Sequence, residues 1–191
     1  AYRKLKKDWK TFECKTSDLH LNLKHKNNLF ICRIAAYFAP KQIHIISDNC
    51  NNLAPYLSVA LPQSKISFFT QNAENISAIK QATSEIGSAN TEIHNAKNSE
   101  RLLECLNESP KADFVIIDCR KDVYDLQNTV EQIVARCSEN AVIILSNAFC
   151  KPAIEEQWEW FLRNNQIKVT TDFFLCKVAF LTQNPVKKQH Y

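Results

Sequence analysis

The sequence predicts a single α/β domain built on a mostly parallel β-sheet that closes with an antiparallel hairpin. Three observations carry this. Between about residues 40 and 164, short β-rich runs alternate with amphipathic helical runs, the pattern of parallel strands whose faces are covered by crossover helices. The last two strand-like runs, 166–174 and 175–183, adjoin directly, and parallel neighbours would need a connection of a dozen or more residues. The length of 191 residues and the 45% hydrophobic content suit one sizeable core.

The elements follow in order. Residues 1–12 (AYRKLKKDWKTF) put Tyr2, Leu5, Trp9 and Phe12 near one helical face and lysines elsewhere. Residues 1–26 are read as an N-terminal helical extension and 27–191 as the α/β domain. A helix over 27–38 is stopped by Pro40, and QIHIIS (42–47) gives the first strand. Leu53, Tyr56, Leu57, Ala60 and Leu61 recur at helical spacing, with Pro55 tolerated in the first turn. KISFFT (65–70) is a strand, 73–86 a helix, and Gly87 stands where a helix end favours left-handed backbone. Strand 90–95 precedes helix 98–108, capped by Asn98 or Ser99. Strand 112–118, helix 123–137, strand 140–146 and helix 152–164 complete the alternation before the hairpin. The expected core includes Ile43, Ile45, Phe68, Val115, Ile117, Ile143, Leu145, Val169, Val178 and Phe180.

Composition removes several function classes. A net charge of +4 spread over both signs lacks the clustered basic face of a nucleic-acid binder. No apolar run reaches membrane-spanning length and no apolar stretch follows the N-terminal lysines as in a signal peptide. The eight cysteines form no C-x-x-C pair and several lie on apolar faces, so they are expected to be reduced thiols in a cytoplasmic protein. The five histidines share no ligand spacing, and His44 lies within a strand pattern as a structural residue. Trp158 is expected in the core and Trp160 at its rim as a candidate contact residue. The aromatic stripe of residues 2–12 is expected to dock on the domain, on a second copy, on another protein or on a membrane surface. One number is abnormal: the chain has a single glycine, where average usage of about 7% would give roughly 13.

Several stretches together resemble one family. LFICRIAAYFAPKQIHII, DFVIIDCRK, AVIILSNAFCKPAIEEQWEWF and VTTDFFLCKVAFLTQNPVKKQHY are similar, in order and spacing, to small bacterial O-methyltransferase-like proteins of the class I S-adenosylmethionine (SAM)-dependent methyltransferases. The resemblance runs from about residue 26 to the end. It implies a Rossmann-like, seven-stranded sheet of order 3-2-1-4-5-7-6, with only strand seven antiparallel and helices on both faces. It also implies a cofactor crevice at the carboxyl ends of the strands. The family's site maps onto Ser47, Asp48, Asn49, Asn51, Thr70 and Gln71 for the cofactor, and onto Asp118 as the catalytic position.

The departures from the family cluster there. Its first strand ends in an acid and a glycine-rich turn, where this chain has Ile45, Ser47 and Asn51. Its second strand ends in a carboxylate that binds the cofactor ribose, where this chain has Thr70-Gln71. The family's glycines after strands four and seven match Cys119 and Lys177. Its metal-dependent members use a carboxylate after strand four and an Asp-Asn or Asp-Asp pair after strand five. Asp118, Ser146 and Asn147 make a poor set for a hard cation, so no metal is expected. SAM is therefore expected to bind weakly or not at all. Three readings follow: a silent methyltransferase-like domain kept for binding or assembly, an active small-molecule O-methyltransferase with an atypical loop, or a binder of another ligand in the same crevice.

Overall fold

The computed structural model describes residues 26–48, 53–119, 126–148, 152–173, 176–182 and 189–190. The expected N-terminal helix and the start of the helix expected at 123 lie outside the described residues, as do Asn49 and Asn51. The elements in chain order are α1 (Lys26–Phe38), β1 (Gln42–Ile46), α2 (Leu53–Ala60), β2 (Lys65–Thr70), α3 (Ala73–Glu85), β3 (Thr91–Asn95) and α4 (Ser99–Glu108). They continue with β4 (Ala112–Asp118), α5 (Leu126–Ala135), β5 (Cys137–Ser146), α6 (Pro152–Arg163), β6 (Ile167–Phe173), β7 (Cys176–Leu181) and β8 (Gln189–His190).

The strands form one sheet of order β3-β2-β1-β4-β5-β7-β6-β8. The first seven strands take the expected order, with β7 antiparallel to both β5 and β6. The sequence did not suggest the eighth, a two-residue strand that runs parallel along β6. Strand alternation divides the core between the two faces. Phe114 and Ile116 of β4 join Ile31, Ile45, Tyr56, Leu57, Phe68, Ile79, Ile144 and Val178 under α1, α2 and α3. Val115 and Ile117 join Phe69, Leu102, Leu106, Val130, Ile133, Leu145, Trp158 and Phe161 under α4, α5 and α6. Each such side chain contributes about 1.5–3 kcal/mol when taken fully out of water.

Local chemistry sets the ends. Asn72 and Asn98 cap α3 and α4 by accepting from Glu74 N and Arg101 N. Gly87 has φ +65 just past the Ile86 C-cap of α3. α1 closes differently: Ala39 has φ 47 and its N–H donates to Ala35 O at 2.8 Å, directly before Pro40. Lys41 N and Gln42 N both donate to the Asp113 carboxylate at 2.9 Å, which ties the start of β1 to that of β4.

Three expectations need correction. Cys137 is not the last residue of a helix: Arg136 turns the chain, and β5 begins at Cys137, pairing with Ala112. Val169 and Phe180 are half-buried. An irregularity between Ile167 and Val169 shifts the register of β6, so that Ile167 and Thr170 are the residues turned fully inward. Lys177 does not follow the seventh strand but lies inside β7, opposite Leu145 of β5 and Asp172 of β6.

Lys177 is buried and gathers two carboxylates around its charge. Its ammonium donates to Asp172 Oδ2 at 2.5 Å and to Glu155 Oε2 at 3.2 Å, and stands 5.4 Å from the Trp158 ring centre. Burial pulls its pKa down, but hydrogen bonds to the two carboxylates and their charges outweigh that, and the net shift is upward.

Cys32, Cys105, Cys119, Cys137 and Cys176 are buried free thiols. Burial pushes the thiols of Cys32, Cys137 and Cys176 up to about 12, which suppresses the reactive thiolate. In the native protein these three are expected to resist iodoacetamide for hours at pH 8 and to react at once in guanidinium. Rapid native labelling of any of them, located by peptide mass spectrometry, would contradict this packing. No helix among the described residues is long and apolar enough to cross a membrane.

Candidate functional site

The carboxyl ends of β1, β2, β4 and β5 converge at the middle of the sheet, where the strand order reverses and open α/β sheets hold ligands. β4 ends at Asp118, β5 at Ser146, β2 at Thr70, and Ser47 follows β1. These tips carry polar side chains because their backbone leaves the sheet there, and they meet each other.

Asp118 is at the centre and is buried. Ser47 Oγ donates to its Oδ2 at 3.0 Å and Asn147 Nδ2 to its Oδ1 at 3.0 Å. Asn147 Nδ2 also lies 3.4 Å from Ser146 Oγ. Asn27 Nδ2, at the start of α1, donates to Asn147 Oδ1 at 3.1 Å. A polar relay thus runs from α1 through β5 and β4 to β1. Asn147 has φ 56, and this left-handed turn of the backbone is one that asparagine tolerates better than most residues.

A second group forms at the tip of β2. Asp48 Oδ1 accepts from Thr70 Oγ1 at 3.1 Å and from Gln71 N at 2.6 Å. The Thr70 hydroxyl also accepts from Asn72 N at 3.1 Å and from Asn75 Nδ2 at 3.4 Å, so its capacity is used within the protein. Asp48 is therefore the acid nearest the tip of β2, supplied by the neighbouring strand. Ile45, at the position where the family resemblance placed an acid, is packed in the apolar core.

The structure thus brings together Ser47 with Asp118, and Asp48 with Thr70 and Gln71. Sequence reasoning did not pair Asp48 with the tip of β2, nor Asn27 with Asn147, because both contacts join residues far apart in the chain. Cys119, where the family has glycine, is buried, and its N–H donates to Ser146 O at 2.9 Å. Among the described residues no three His, Cys, Asp or Glu side chains converge as metal ligands. A cleft of about 740 Å³ opens elsewhere, at the amino ends of β1 to β3, lined among others by Gln42, Ser64, Lys65, Asn90 and Glu92. It lies at the opposite pole from the strand tips, so its size is no guide to the crevice.

The Thr70 hydroxyl and the Gln71 N–H are committed to Asp48, and both Asp118 oxygens have donors. Ser47 places a Cβ and hydroxyl where the resembled family has backbone alone.

No protein-family model and no curated protein matches the sequence. Solved structures do. The chain is similar to a methyltransferase from Geobacter sulfurreducens, with TM-score 0.70 and 14% identity over 91% of this chain and 89% of that one. It is similar to an SAH-bound methyltransferase of Podospora anserina, with TM-score 0.71 and 15% identity over 94% and 88% of the two chains. It is also similar to the O-methyltransferase TomG from Streptomyces achromogenes, in complex with SAM, with TM-score 0.69 and 15% identity over 85% and 82%. At such identities the likeness concerns the backbone and its topology. The chain has the Rossmann-like fold of class I SAM-dependent methyltransferases.

Proposed function

We propose that this protein is a methyltransferase-like domain without catalysis, retained in the cytoplasm for a binding or assembly role. One observation carries the reading. Both oxygens of Asp118 are held by Ser47 and Asn147, so the strand tips bond to one another at the point where a ligand would need them. The tip of β2 behaves in the same way, since Asp48 takes the Thr70 hydroxyl and the Gln71 N–H. Hydrogen bonds to a charged group are worth about 1.5–3 kcal/mol, and each 1.4 kcal/mol is about tenfold in affinity.

Isothermal titration calorimetry with SAM and with its demethylated product tests the proposal. The expected outcome is a Kd in roughly the millimolar range, or no measurable heat, since losing two such bonds weakens a micromolar ligand by about that much. Micromolar binding of either compound would overturn it.

A second reading, an active small-molecule O-methyltransferase, draws on Asp48. Its carboxylate stands at the tip of β2, where a ribose acid is useful, although it comes from the end of β1. In that case micromolar SAM binding should weaken at least tenfold in Asp48→Asn, the loss of about 1.4 kcal/mol. A third, a binder of a different small ligand, draws on Asn27 Oδ1 and Asn28 Nδ2. These are buried amide atoms near the start of α1 that find no hydrogen-bond partner among the described residues.

A further inference from the structure

One flank of the domain carries an apolar strip that the described elements leave in water. On α1, Phe30, Ile34, Tyr37 and Phe38 recur at helical spacing, beside the fully buried stripe of Ile31 and Ala35. Tyr37 is 81% exposed and Phe38 42%. The hairpin extends the strip: Phe173 of β6, also 42% exposed, meets Phe30 edge-on at 5.2 Å. Phe180 of β7 lies 5.7 Å from Phe38, which packs on Tyr37 at 5.1 Å. The strip therefore runs the length of α1, from Phe30 and Phe173 at the crevice end to Phe38 and Phe180 at the other. Contiguous exposed aromatic surface of this kind marks a contact site.

We infer that this strip is the docking site of the chain's own residues 1–12, held in the same molecule as an amphipathic helix. Two arguments select this occupant. The first is pattern: Tyr2, Leu5, Trp9 and Phe12 fall on one helical face, while Arg3, Lys4, Lys6, Lys7 and Lys10 are left for water. The second is connection. Residue 12 is joined to Lys26, the first residue of α1, by the 13 residues 13–25, which can span up to about 45 Å when extended. Every point of the strip is within reach, and a short tether gives an effective concentration of about millimolar. A second copy would have to meet the strip against the full entropy of association. Alone in water, a helix of this length does not persist, so the segment and the strip each supply what the other lacks.

Photo-cross-linking in the full chain tests this. Benzoylphenylalanine replaces Trp9, and the cross-linked peptides are located by mass spectrometry. The expected product has monomer mass and joins residue 9 to a peptide from 26–38 or 167–182. Tyr37→Glu, a change at an exposed position that leaves far-UV circular dichroism intact, should lower its yield at least about fivefold, the equivalent of about 1 kcal/mol. A product of dimer mass would give the strip to a second copy and overturn the inference. So would cross-links to other peptides, the absence of any cross-link, or a yield indifferent to Tyr37→Glu.

Discussion

Replacing Glu155 and Asp172 together by alanine is expected to destabilise the protein by about 3–5 kcal/mol at pH 7, the cost of leaving a buried charge without partners. Lys177→Met should stay within about 1 kcal/mol of the parent. The asymmetry follows from exposure. The Lys177 side chain is 6% exposed, whereas those of Glu155 and Asp172 are 55% and 49% exposed. Freed carboxylates return to water, but a freed ammonium cannot. Methionine also fills the place of the lysine stem against Trp158.

The loss has a ceiling and a sign. Without its carboxylates Lys177 can give up its proton, and from an unfolded value of 10.5 that limits the cost at pH 7 to about 5 kcal/mol. The folded pKa would then lie below the unfolded one, so the deficit shrinks as pH rises toward 10.5. Urea unfolding at pH 7 and pH 9.5 measures both terms. A loss of 3 kcal/mol should appear as a fall in Tm of about 6–12 °C for a chain of this length. An equal loss in Lys177→Met and in the double variant would show that the triad acts as a balanced pair, not as a shelter for one cation.

Acidification should unfold the protein partly through His44. Its ring is buried between strands, edge-on to Phe69 at 5.2 Å, and Phe69 stacks at 4.8 Å on His94. Nε2 of His44 finds no hydrogen-bond partner among the described residues. Burial lowers its pKa from 6.5 to about 4, with help from the His94 charge; Asp113 and a hydrogen bond with the Pro110 backbone act the other way. Because the folded value is depressed, the stabilising contribution is complete above pH 6.5 and is lost as pH falls toward 4. The loss is on the order of 3 kcal/mol over that window. His44→Phe keeps the ring against Phe69 and removes the titration. Its stability should be lower at pH 7.5, where the Pro110 bond is missing, yet fall less steeply between pH 6.5 and 4.5. Parallel curves for parent and variant would mean that His44 does not titrate on unfolding.

The order of elements was legible because it rests on local period and on turn residues. Asn98, Gly87 and Pro40 mark boundaries that the structure keeps within a residue or two. The hairpin was legible from the shortness of the connection between its two strands. What escaped depends on partners distant in sequence. Nothing near Asp48 says that its carboxylate turns to Gln71 N, 23 residues on. Nothing near Asn27 points to Asn147, 120 residues away. Lys177 looked like a lost glycine because an isolated lysine in a strand pattern gives no hint of carboxylates on α6 and β6. Val169 and Phe180 followed the alternation of ideal strands, and the irregularity in β6 that breaks this alternation has no marker in composition.

The two left-handed residues other than glycine among the described ones bear on the chain in its unfolded state. Glycine is the usual occupant of such positions, and it widens the conformational freedom that folding must remove. This chain has one glycine, so its denatured ensemble is narrower than that of an ordinary domain of equal length, and closure of each turn loses less entropy. The counterpart is strain in the native state, at Ala39 with φ 47 and Asn147 with φ 56, of about 1–3 kcal/mol at each. Ala39 is tethered by its bond to Ala35 and followed by Pro40, whereas Asn147 holds Asp118 with its side chain. The chain has in effect moved the difficulty of its turns out of the disordered ensemble and concentrated part of it at the tip of β5, where the polar relay keeps it in place.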